Sequence, residues 1–101
     1  MPEMTFTVRW PDGRVEECWS PSLVMWDHLE VGAEYPVAEF AARSTTALAE
    51  AGERVRARYG FLCTSALAQA EEIRARAALL DAGAPVRVLA MAPPLPVEAA
   101  R

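Results

Sequence analysis

The sequence predicts a small α+β domain in the order β-β-α-α-α-β, a three-stranded antiparallel sheet with helices packed on one face. Three observations carry this reading. An alternating segment near the start runs into a tight-turn signature, Pro11-Asp12-Gly13. Apolar residues recur at helical spacing from Pro36 onward. A β-branched run, Val86 to Met91, follows the last helical pattern. The 101 residues fit one domain. It is expected over residues 1–92, followed by a Pro-rich flexible tail at 93–101.

The first strand places Met4, Phe6, Val8 and Trp10 on one face and Thr5, Thr7 and Arg9 on the other. Pro presets the first turn position and Gly takes the positive φ, so Val15 to Trp19 returns as the second strand. If Trp10 closes the loop against Arg14, Phe6 faces Cys18, Val8 faces Glu16 and Thr5 faces Trp19. Residues opposite each other share a face, which puts Cys18 on the apolar side and Trp19 on the other. Ser20-Pro21-Ser22 reads as a cap before a short helix from Leu23 to Leu29, a stretch that also suits an extended segment. The second helix carries the stripe Val37, Phe40, Ser44, Leu48, Ala51, Val55 and Tyr59 and stops at Gly60. A third, capped by Thr64 or Ser65, turns Ala66, Leu67, Ala70, Ile73, Ala77 and Leu80 inward and stops at Gly83. The strand Val86 to Met91 has one natural partner, the edge of Thr5 to Trp10, because an isolated hairpin is marginal in water.

Composition excludes several classes. The chain is 52% hydrophobic and 24% charged, too apolar for a disordered segment. No apolar run reaches the ~18 to 20 residues of a membrane helix. Met1 to Thr5 has neither a basic nor an apolar leader region, so no signal peptide is expected. A net charge of −4 argues against non-specific nucleic-acid binding. All ten basic residues are arginine, which accords with GC-rich coding.

Three side chains are candidates for chemistry. Cys63 lies at the start of the third helix, where the dipole and free N–H groups favour a thiolate. It reads either as a nucleophile or redox thiol, or as an apolar plug between Phe61 and Leu67. Cys18 falls on the apolar face of the hairpin, a structural position. His28 stands beside Asp27, a carboxylate able to orient its ring. The cysteines form no C-x-x-C pair, and one histidine does not complete a zinc set, so no metal and no cofactor is expected. Two unpaired thiols suit a reducing cytoplasm. No catalytic residue is assigned outright.

Several stretches resemble a bacterial family of short nitrogen starvation response proteins. These are Met1 to Gly13, Cys18-Trp19-Ser20-Pro21-Ser22, Tyr35-Pro36-Val37-Ala38-Glu39-Phe40 with Arg43-Ser44, and Glu53 to Cys63. The resemblance covers about the first three-quarters of the chain. It implies a gene cluster that also encodes a nitrilase-type carbon–nitrogen hydrolase, a radical S-adenosylmethionine protein, an acetyltransferase-like protein and a flavoprotein. Both cysteine positions belong to the family pattern, whereas Trp19 stands where tyrosine is commoner. The resemblance implies no catalytic residues.

Two functions follow. The first is a non-enzymatic accessory or binding protein of nitrogen scavenging, with partners encoded nearby. The alternative is a small thiol-dependent enzyme or redox protein using Cys63, with Cys18 or His28. Trp10, Trp19 and Trp26 all fall in the first quarter of a chain with little core, which predicts a homodimer. Neither a nucleic-acid nor a membrane partner is expected.

Overall fold

The computed structural model describes residues 2–94, so the expected tail lies outside the described residues beyond Pro94. The hairpin forms in the expected register. Strands β1 (Met4–Arg9) and β2 (Val15–Ser20) pair antiparallel, with Phe6 opposite Cys18 and Thr5 opposite Trp19. Trp10 closes the turn: its N–H donates to the Arg14 carbonyl at 2.8 Å and its carbonyl accepts from the Gly13 N–H at 2.9 Å. Gly13 has φ 91°, a conformation glycine reaches without steric cost.

The C-terminal strand, numbered β4 (Pro85–Ala92), pairs antiparallel with β1 as expected. The register steps between Thr7, opposite Ala90, and Val8, opposite Val88, so Leu89 is an extra bulge residue.

Two details of the expected fold are corrected. The sheet has four strands, not three, in the order β2-β1-β4-β3. The added strand β3 (Glu34–Pro36) pairs antiparallel with β4. Three residues ending in proline carry no alternation to read. What holds them is distant: the Gly32 N–H donates to the Val88 carbonyl at 2.8 Å, and the Val88 N–H to the Ala33 carbonyl at 3.0 Å.

The second correction is that there are two α-helices rather than three, α1 (Val37–Tyr59) and α2 (Thr64–Ala78). The segment expected as the first helix is a 3-10 helix, Leu23–Asp27, whose N-cap Ser22 accepts the Val24 N–H on its hydroxyl. Five residues before a breaking Gly32 are too few for a stable α-helical nucleus.

Helix α1 buries the expected stripe from Val37 to Val55, and Gly60 ends it at φ 81°. The Ser44 hydroxyl, buried on that stripe, donates to the Phe40 carbonyl at 2.6 Å. Tyr59, expected to continue the stripe, is 51% exposed. Helix α2 buries Ala66, Ala70 and Ile73, whereas Leu67, expected inward, is 54% exposed. Both exceptions sit at the α1–α2 connection.

The helices cover one face of the sheet: α1 contacts β3 and β4, and α2 contacts β2. Between the layers lie Phe6, Val8, Trp10, Phe40, Leu48 and Ile73, all buried. Trp10 and Phe40 meet edge to face, ring centroids 5.3 Å apart. The indole N–H of Trp10 donates to Glu16 at 2.9 Å, and Arg76 of α2 lies 3.5 Å from the same carboxylate. Gln69 of α2 accepts the Trp19 backbone N–H at 3.0 Å, capping part of the outer edge of β2. On the opposite face, Thr5, Thr7, Arg9, Val15, Glu17 and Arg87 are half-buried or exposed. No helix among the described residues is long and apolar enough to cross a membrane.

Candidate functional site

The three candidate side chains occupy three separate places. Cys18 is fully buried on the helix-covered face of β2. Burial pushes its thiol up to about 12, with Glu16 and Glu72 adding to the rise and Arg76 opposing it. A thiol so placed stays protonated near neutrality and packs as a small apolar side chain.

His28 caps the 3-10 helix and lines a concavity of about 390 Å³ with Trp26, Glu30, Tyr35 and Arg43. Asp27, its sequence neighbour, is exposed; the carboxylate that meets its ring is Glu50 of α1, 3.0 Å from Nε2. Arg43 donates to Glu39 at 2.7 Å and to the His28 carbonyl at 3.1 Å, and lies 4.8 Å from the Tyr35 ring centroid. The Tyr35 hydroxyl in turn accepts the Glu30 N–H at 3.1 Å. These groups satisfy one another. Their evident work is to fasten the 3-10 segment to α1, and neither Tyr35 nor Arg43 was legible as part of this cluster from spacing.

Cys63 is the N-cap residue of α2, half-buried, and its side chain makes no capping hydrogen bond. It lines a shallow cleft of about 200 Å³ with Trp19, Pro21, Val55, Tyr59 and Phe61. The rings of Tyr59 and Phe61 stack with centroids 5.9 Å apart. Trp19 is half-buried, and its indole N–H donates to Glu3 at 3.1 Å. Phe61 is 58% exposed and Leu62 63%, and Leu67 in the first turn of α2 is exposed as well. The sequence signal for this patch was the apolar link Phe61-Leu62-Cys63, which runs on past a helix already ended by Gly60.

The structure does not bring Cys63 and His28 together. They line different cavities. Glu50, which holds His28, and Tyr59, beside Cys63, stand nine residues apart on α1, roughly 14 Å along the axis at 1.5 Å per residue. No group of three or more potential metal ligands occurs among the described residues.

Comparison with known proteins gives one result. No curated protein and no solved structure matches the chain. A family model described as "Nitrogen starvation-induced protein NitG" matches residues 5–91, further than the three-quarters the resemblance covered. That span holds both helices, β2 and β3 whole, and all but one end residue each of β1 and β4. The chain therefore belongs to the family of nitrogen starvation-induced protein NitG.

Proposed function

We propose that the chain is a non-enzymatic accessory protein of bacterial nitrogen scavenging, working in the cytoplasm through protein–protein contact. Its partners are a second copy of itself and proteins of a nitrilase-type gene cluster. One observation carries this reading, the exposed rings of Tyr59 and Phe61, which stack on each other and line one cleft with the half-buried Trp19. Scattered single apolar residues need no explanation, but a contiguous aromatic cluster on a domain this small is the signature of an interface. Its surroundings carry both signs of charge, Glu3 and Glu53 with Arg56 and Arg58, which suits a self-complementary two-fold contact. Trp19 and Trp26 form no ring pair with each other among the described residues, and both are half-buried.

Sedimentation at micromolar concentration tests the dimer. A concentration-dependent shift above 11.0 kDa is expected, with an interface of about 1,200 Å² or more in total. Trp19→Ser and Phe61→Ser should each return the chain toward monomer. An 11.0 kDa species that persists as concentration rises ends the idea.

The thiol-dependent alternative rests on Cys63, half-exposed at the start of α2. Alkylation of the native protein at neutral pH separates the readings. Slow labelling of Cys63, at the rate of a simple thiol or below, is expected. Labelling many-fold faster would favour the thiol chemistry.

A further inference from the structure

We propose that the open face of the sheet carries a binding site for a small oxyanion, a phosphate or carboxylate group, between Arg9 and Arg87. The two arginines are direct cross-strand partners in the β1–β4 ladder, so their side chains rise from the same face on adjacent strands. Like charges directly opposite each other destabilise a sheet, and neither position is buried. The row continues across the sheet as Val15, Arg9, Arg87, Glu34. Its only acidic member, Glu34, is 3.6 Å from Arg87 and answers one guanidinium.

Arg9 stands apart from the other described arginines. Arg14, Arg43, Arg54, Arg56, Arg74, Arg76 and Arg87 each have a carboxylate partner, and Arg58 lies over the Tyr59 ring. Among the described residues Arg9 has neither, in a protein whose net charge is −4. A concavity of about 440 Å³ opens where the two arginines stand, lined also by Trp10, Pro11, Gly13 and Pro85 and, on its Arg87 side, by Glu34. Two guanidinium forks on neighbouring strands match the oxygens of a phosphate or carboxylate, which a lone guanidinium holds poorly in water. The bound oxyanion relieves the repulsion that the bare register imposes.

The test is a titration of the full chain with inorganic phosphate, and separately with acetate, followed by backbone amide NMR at constant ionic strength in chloride. Saturable shifts confined to Arg9, Gly13 and Arg87 are expected. Tighter binding of phosphate assigns a phosphate-bearing ligand, and tighter binding of acetate a carboxylate. Arg9→Gln should weaken binding at least tenfold, while Arg58→Gln on the far patch leaves it unchanged. Arg9→Gln should melt at the same or a higher temperature than the native chain in chloride, and lose the rise that the bound anion gives. Absence of saturable shifts with both probes overturns the site. So does a fall in melting temperature of Arg9→Gln in chloride, since it would show that the chain itself already balances that charge.

Discussion

Replacing Phe40 with alanine is expected to cost about 3 to 5 kcal/mol, the range for a fully buried aromatic ring. Phe40 is completely buried on α1 and meets Trp10 edge to face at 5.3 Å, so the cavity opens where helix and sheet are joined. Small domains have only about 5 to 15 kcal/mol in all. The variant should therefore unfold at a much lower urea midpoint with an unchanged slope. Phe61→Ala is the control: the same residue type, 58% exposed, should change monomer stability by about 0.5 kcal/mol or less. Equal losses at the two positions would mean that Phe40 does not anchor the core.

A comparable effect is expected from alkali. Cys18 ionises near its ordinary 9.0 when unfolded, and in the fold burial holds it up to about 12. Its folded value is raised, so its contribution is fully present below pH 9 and is lost as pH rises toward 12. Over that window the loss should amount to roughly 3 to 4 kcal/mol. The measurement is the difference in unfolding free energy between the native chain and Cys18→Ala. The variant starts less stable because a small void opens, but its alkaline slope should be shallower. Parallel slopes would show that the thiolate forms in the folded state and that this face of β2 admits water.

These two residues also show what was legible in the sequence. The position of Cys18 followed from the turn: Pro11-Asp12-Gly13 sets one register, and that register decides every face in the hairpin. Phe40 followed from the 3.6-residue stripe of α1. The place of β4 beside β1 followed from elimination of other partners. What escaped was determined by contacts distant in the chain. β3 exists because residues 85–87 lie alongside it, not because Glu34-Tyr35-Pro36 favours a strand. His28 met Glu50, 22 residues away, rather than Asp27 beside it, because the 3-10 helix is folded onto α1. Tyr59 and Leu67 had the right spacing to face inward, yet both sit where α1 hands over to α2, and no element among the described residues packs over them. The apolar patch there is the piece of the candidate site that periodicity hid.

The strand order carries a consequence for how the protein is made. β4 follows both helices in the chain yet occupies an inner position, between β1 and β3. A nascent chain that has already emitted α1 and α2 therefore holds only a hairpin and an orphan segment at 34–36, with nothing to join them. Phe6 and Val8 then lack the Val86 and Val88 layer that completes their cover, and one edge of β1 stands open to other strands. Sheet closure must wait until residue 92 has cleared the ribosome, which makes folding a late, nearly simultaneous event. A chain that ends within α2 lacks β4, and so leaves β1 with an unpaired edge and β3 with no partner strand.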